Sequence, residues 1–199
     1  MSINDSYGEF RRDGIFFVIT GPSGVGKTTI MDHVLEKDER LDYSTSHTTR
    51  EKRPGEIDGE DYHFVDKEEF HEIIDESGFL EWAEVYGDYY GTSRAEVESI
   101  KEGGRDPFLD IDVQGARQLR DDTSLDAVFV FLAPPSLDEL ERRIFDRGAE
   151  SPERVEKRME VAREEIKRIP EFDYLIENEV VEEAVSDLEA VIRAERLKV

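Results

Sequence analysis

Short continuous apolar runs alternate along this chain with longer stretches whose apolar residues recur every three or four positions. The runs are Ile15 to Ile19, Phe108 to Ile111, Ala127 to Leu132 and Tyr174 to Ile176. Unbroken segments of that length predict strands buried on both faces, as in a parallel sheet covered by helices. The periodic stretches predict those helices. Ile30, Met31, Val34 and Leu35 share one face, as do Phe70, Ile73 and Ile74 behind the cap pair Asp66 and Glu69. Ser136 with Glu139 opens a helix bearing Leu137, Leu140 and Ile144, and Ser151-Pro152 opens one through Val155, Met159, Ala162 and Ile166. The last carries Ala184, Val185, Leu188, Val191 and Ile192. Strands alternating with helices define an α/β class with a mostly parallel sheet. Residues 42–92, richer in tyrosine, threonine and charge, break the alternation and are expected to form an inserted lobe of short strands. At 199 residues, without repeat or linker, the chain suits one core with small insertions.

The first run leads straight into Gly21-Pro22-Ser23-Gly24-Val25-Gly26-Lys27-Thr28, a complete phosphate-binding loop. The glycines let successive N–H groups curl around phosphate oxygens. Lys27 supplies charge for the β- and γ-phosphates and Thr28 a hydroxyl for Mg²⁺, while the following helix N-terminus favours the anion. A strand before and a helix after are what this loop requires, so the chain is expected to bind a nucleoside triphosphate.

Two further clusters carry chemistry. Asp110 and Asp112 end the Phe108 strand two residues apart and so project the same way. An acid at the end of such a strand commonly holds Mg²⁺, directly or through water. Arg50, Arg53 and Tyr62 put two guanidiniums and a phenol into a short stretch of a chain poor in basic residues. A phosphate monoester suits such forked donors, with surface ion pairs to nearby acids as the alternative.

Taken in order, Ser46 to Glu56, Gly59 to Tyr62, Phe79 to Ala83, Tyr89 to Ser93, Leu109 to Gly115, Ala133 to Ser136 and Ala194 to Leu197 resemble the guanylate kinase family. The resemblance runs from about Ile15 to the C-terminus. It implies a P-loop NTPase-type parallel sheet with helices on both faces, an inserted GMP-binding lobe and a helical lid. The corresponding residues are 13–41, 93–135 and 171–199 for the core, 42–92 for the lobe and 136–170 for the lid. It also implies Mg²⁺-dependent phosphoryl transfer from ATP to GMP, giving ADP and GDP. ATP would be bound by Gly21, Pro22, Ser23, Gly24, Val25, Gly26, Lys27, Thr28 and Thr29, with Asn178 beside the adenine; Thr28 and Asp110 would serve the metal. Arg50, Arg53, Tyr62 and Tyr90 would take the GMP phosphate, with Glu56 in the same group, and Ser46, Glu81, Thr92 and Asp112 would line the base. Lys27, Arg50, Arg147 and Arg158 would carry catalysis, with Arg143 as a further lid arginine.

The chemistry agrees with these roles. Glu81 can accept from both N1–H and the exocyclic amine of guanine, and hydroxyls of Ser46 and Thr92 can donate to O6. Adenine presents the opposite pattern and would leave a buried Glu81 unpaired. Thr92 stands where serine is frequent in the family, and Pro107 is expected at the first position of its strand. A non-catalytic interaction module of the same family is the main rival, and the intact Lys27, Thr28, Arg50, Arg53 and Asp110 argue against it. A related kinase with another acceptor is opposed by Glu81 and Thr92.

Composition narrows the setting. The absence of cysteine removes disulfides, thiolate metal sites and cysteine nucleophiles. No apolar run approaches the roughly 20 residues of a membrane span, and Met1 to Arg12 are polar, so a cytoplasmic protein is expected. Fifty acidic residues against 26 basic give a net charge of −24, which repels nucleic acid and anionic membranes. Small-molecule ATP and GMP are the expected partners; a homo-oligomer stays open. Only eight of the basic residues are lysine and eighteen are arginine, a balance that points to a salt-adapted organism. The screening length falls from about 10 Å at ~0.1 M salt to about 3 Å at ~1 M. Melting temperature is therefore expected to rise with KCl, most steeply below about 1 M, and by more than in sucrose, which stabilises without screening. A KCl response no larger than that in sucrose would remove the salt-adaptation reading.

Overall fold

The computed structural model describes residues 14–122, 125–146 and 152–198. Its core is a five-stranded parallel sheet formed by β1 (Phe16–Thr20), β2 (Leu41–Tyr43), β7 (Asp106–Asp110), β8 (Ala127–Ala133) and β9 (Tyr174–Glu177), in the order β2-β7-β1-β8-β9. Every residue of β1 is buried, as the unbroken apolar run requires. Successive side chains alternate between two apolar layers. Phe17 and Ile19 join Met31, Val34, Leu188 and Ile192 on one face, whereas Phe16 and Val18 join Leu109, Leu119 and Phe129 on the other. The first layer is completed by α1 (Lys27–Leu35) and α7 (Val181–Glu195), the second by α3 (Arg94–Glu102) and α4 (Val113–Asp121).

Residues of the lobe form a second sheet, β4-β3-β6-β5, from β3 (His47–Thr48), β4 (His63–Phe64), β5 (Phe79–Val85) and β6 (Asp88–Ser93). Against it lies α2 (Lys67–Asp75), capped by the Asp66 side chain accepting from Glu69 N as its sequence predicts. Phe70 of that helix stacks on Phe79 at 4.6 Å and on Tyr89 at 5.5 Å. Helices α5 (Leu137–Asp146) and α6 (Pro152–Ile166) share a separate apolar cluster of Leu140, Ile144, Val155, Met159 and Ala162.

Two local expectations are corrected. The lobe was expected from residue 42, but Leu41, Asp42 and Tyr43 pair in register with Asp106, Pro107 and Phe108, so the chain leaves the core sheet only after Tyr43. Pro107 is accordingly the second residue of β7, not the first; pairing with β1 begins one residue later, at Phe108. The Ala194 to Leu197 block is structural. Arg196 Nε bonds Asp106 Oδ2 at 2.7 Å and its Nη1 bonds Asp38, while Asp106 Oδ1 accepts from Ile15 N at 2.9 Å. The end of α7 is thus tied to the beginnings of β1 and β7, leaving the opposite, carboxyl ends of the strands for the site.

Candidate nucleotide-binding site

The P-loop joins β1 to α1, whose N-cap is Gly26 at φ 102°, in the left-handed region open to glycine. A Cβ there would also lie 2.6 Å from Asn178 Nδ2. That amide donates to the Val25 carbonyl at 2.7 Å, so Asn178, just past β9, contacts the P-loop. Lys27 Nζ donates to the Gly21 carbonyl at 2.7 Å and stands 3.7 Å from Asp110 Oδ1 at the end of β7. Burial pushes the Asp110 carboxyl up, with Lys27 opposing. Thr28 and Thr29 lie on the first turn of α1, and both are exposed.

The base-recognition candidates converge between β5, β6 and α4. Glu81 is 4 % exposed, and Thr92 Oγ1 donates to its Oε1 at 2.5 Å. Desolvation pushes the Glu81 carboxyl up to about 7 against the bond from Thr92, and neighbouring Asp112 adds to the rise. Asp112 caps α4 by accepting from Gly115 N at 2.8 Å. Gly115, quoted in the sequence block without a role, has one: an added Cβ would lie 2.0 Å from Glu81 Oε2. The Thr92 hydroxyl donates its one proton to Glu81, so donation to O6 would require it to leave that bond. Ser46 is buried at the entry to β3.

The phosphate candidates lie on the neighbouring side of the lobe. The Arg50 fork grips Glu56 through Nη2–Oε1 at 2.7 Å and Nη1–Oε2 at 3.1 Å, and Glu56 also accepts from Arg53 N at 2.7 Å. Glu56 therefore holds the Arg50 guanidinium and the Arg53 backbone N–H. Burial would lower the Arg50 pKa, but Glu56 and Tyr90 offset this and the net shift is upward. The Arg50 guanidinium also lies over the Tyr62 ring at 5.4 Å, and Tyr62 and Tyr90 meet edge to face at 5.9 Å. Burial first, then Asp110, pushes the Tyr62 phenol up to about 12, keeping it a donor.

The two candidate lid arginines within the described residues differ in placement; Arg147 lies outside them. Arg158 Nη2 reaches Ser23 Oγ at 2.6 Å, directly over the P-loop. Arg143 is held by Glu139 at 2.8 Å and by the carbonyls of Asn178 at 3.0 Å and Val25 at 3.4 Å. It sits beside the P-loop, at the Val25 and Asn178 carbonyls. Glu165 was missed by sequence reasoning. Burial pushes its carboxyl up to about 7, with Lys27 lowering and Asp112 raising it, which places it toward the cleft. Its signal was the seven-residue step from Arg158, two turns along the same helix face.

A P-loop at the carboxyl edge of a parallel sheet, a second sheet presenting a buried carboxylate and an arginine fork, and a helix pair whose Arg158 reaches the P-loop together define a P-loop kinase of nucleoside phosphates. The family model described as guanylate kinase matches residues 14–195. A guanylate kinase of Thermus thermophilus is 52% identical over 183 residues, 92% of this chain and 82% of its own. That of Oceanobacillus iheyensis is 46% identical over 188 residues, 94% of this chain and 91% of its own. The crystal structure of guanylate kinase from Anaplasma phagocytophilum superposes with a TM-score of 0.78 at 34% identity, covering 94% of this chain and 88% of that one. The chain belongs to the guanylate kinase family.

Glu81 generates opposed effects on stability and recognition. The folded protein binds its proton more tightly than the unfolded chain, whose carboxyl titrates near 4.5. Its contribution to folding is therefore present below that value and lost as pH rises through about 7. Glu81→Gln escapes this loss. Between pH ~5 and ~8 the variant should gain about 2–3 kcal/mol on the wild type in denaturant unfolding, while kcat/KM for GMP falls by two to three orders of magnitude, on the order of an unpaired buried polar group. Stability differences independent of pH, or equal loss with every acceptor, would make Glu81 a structural residue.

Proposed function

We propose the following division of labour for phosphoryl transfer from ATP to GMP, the ADP- and GDP-forming reaction of this family. The observation that carries it is the buried Glu81, held by Thr92 and crowded by Gly115, opposite a P-loop whose Lys27 and Asp110 are 3.7 Å apart. Ionised Glu81 accepts from guanine N1–H and N2–H. Thr92 fixes that carboxylate, which leaves donation to O6 to Ser46, and Asp112 lines the same pocket. Arg50, Arg53, Tyr62 and Tyr90 take the GMP phosphate, with Glu56 holding the Arg50 fork in the interval.

The P-loop amides from Gly21 to Thr28, with Thr29, take the ATP phosphates, and Asn178 and Arg143 border the adenine end. Mg²⁺ fits the donor set, since Thr28 and Asp110 offer hard oxygens and the ion needs few protein ligands beside phosphate and water. Thr28 and Asp110 would hold it, and it would neutralise charge on the phosphate oxygens. The GMP phosphate oxygen is already anionic, so no strong base is needed. The chain's work is alignment, charge neutralisation and exclusion of water. Lys27 leaves the Gly21 carbonyl for the β/γ-phosphates, while Arg158, already over Ser23, and Arg147 stabilise the equatorial oxygens of the moving phosphoryl.

The core, the lobe beyond Tyr43 and the helical lid act as three parts. No helix among the described residues is long and apolar enough to cross a membrane. The surplus of acid and the lack of cysteine support a cytoplasm rich in salt as the setting.

Lys27→Ala should lower kcat at least ~100-fold with little change in melting temperature, because a preorganised charge is lost from a loop, not from packing. Near-full activity in a coupled assay would sink this mechanism. Arg50→Lys conserves charge but not the planar fork, so KM for GMP should rise about tenfold with KM for ATP unchanged. A silent Arg50→Lys would reduce the pair with Glu56 to a surface contact.

A further inference from the structure

The acceptor pocket is assembled from three separate chain segments, and the side chain of Glu96 is at the junction of all three. Glu96 lies in the first turn of α3, immediately after β6. Its backbone N–H is taken by the Ser93 side chain at 3.3 Å, the N-cap that follows Thr92. In the usual capping pair the acid would turn back to the N-cap's own N–H. Here it turns outward. Oε1 accepts from Thr45 N at 2.6 Å, across 51 residues of sequence, and Oε2 lies 3.4 Å from His63 Nε2.

Both partners are where the lobe meets the core. Thr45 lies in the short crossing from β2 of the core sheet to β3 of the lobe sheet, directly before Ser46. His63 opens β4, directly after Tyr62, and its N–H bonds the Ser46 carbonyl at 3.0 Å. Each arm of Glu96 thus stops one residue short of an acceptor-site residue: Ser46 for the base, Tyr62 for the phosphate, and Thr92 beside its own N-cap.

We propose that Glu96 is a positioning residue for the acceptor site, setting the lobe on the core so that Ser46, Tyr62 and Thr92 face one nucleotide. It touches neither substrate. A hydrogen bond from a backbone N–H to a charged carboxylate is among the stronger ones, and small displacements of positioning groups are costly to binding geometry. The donor half of the cleft, built on β1, α1 and β9, makes none of these contacts.

The inference rests on the acceptor-site assignment above, and wild-type transfer to GMP, measured alongside, tests that assignment separately. Steady-state kinetics would vary GMP at saturating ATP and then ATP at saturating GMP, with melting temperatures taken by circular dichroism. Glu96→Ala should raise KM for GMP about tenfold, with kcat and KM for ATP within about twofold of wild type. Glu96→Gln keeps an oxygen for Thr45 N and should return KM for GMP to within about threefold of wild type. His63→Ala removes one arm, should raise KM for GMP about threefold, and carries the test if Glu96→Ala does not fold. An unchanged KM for GMP in Glu96→Ala, or in His63→Ala where the former is unfolded, overturns the proposal. So does a loss shared equally by kcat and both KM values, or an absence of rescue by glutamine.

Discussion

The Val25 carbonyl, in the bend of the P-loop, accepts from Asn178 of the core at 2.7 Å and from Arg143 of the lid at 3.4 Å. That shared acceptor sets where the donor half of the cleft stands. Asn178 follows the last core strand, so its bond registers the loop against the sheet. Arg143 belongs to α5, so its bond seats the lid's first helix beside the same loop, and Ile144 of that helix passes so near Gly24 that a Cβ there would lie 3.0 Å away. A backbone carbonyl suits this task, since it cannot change rotamer and its position is fixed by the glycine-rich curl that also aims the amides at phosphate. Loss of the curl would misplace three elements at once.

The acceptor half is organised around a cost instead of a bond. Burying Glu81 away from countercharge makes it reluctant to ionise, and the fold partly meets that reluctance with the hydroxyl and the backbone of Thr92. Such a site is unfavourable until a ligand arrives with two N–H donors at the right spacing, which is how a buried polar group discriminates between bases. The phosphate side shows a milder version, with Glu56 on the Arg50 fork until another anion takes it.

Much of this was legible in the chain. Unbroken apolar runs gave the strands, and β1, β7 and β8 are buried as a covered parallel sheet requires. Tyr174 to Ile176 instead lie in the edge strand β9, where Leu175 is 55% exposed, so that run is not buried on both faces. Asp66 and Ser136 announced their helices through side chains that do cap Glu69 and Glu139. The P-loop named itself, and the arginine cluster stood out against a surplus of acid. What remained hidden depends on contacts between distant segments. Nothing local to Gly115 reveals that Glu81 occupies the space of its missing side chain. Glu96 reads as one more surface acid in an acidic helix until Thr45 and His63 are seen beside it. Arg143 and Arg158 are indistinguishable by composition, and only tertiary placement puts one at carbonyls near Asn178 and the other over Ser23. The extent of β2 was hidden for the same reason, since Asp42 belongs to the core by virtue of its partner Pro107.

The crowding at Gly115 has an evolutionary consequence. A methyl group there would stand 2.0 Å from Glu81 Oε2 and 2.8 Å from its carboxyl carbon, so a side chain at 115 requires the Glu81 carboxylate to move. A shorter residue at 81 would relieve the crowding, whereas a side chain at 115 first displaces the carboxylate, so the constraint runs in one direction. The pairing of an acid with an absent side chain, on elements more than thirty residues apart, therefore acts as a one-way lock: while Glu81 keeps this conformation, position 115 must stay glycine.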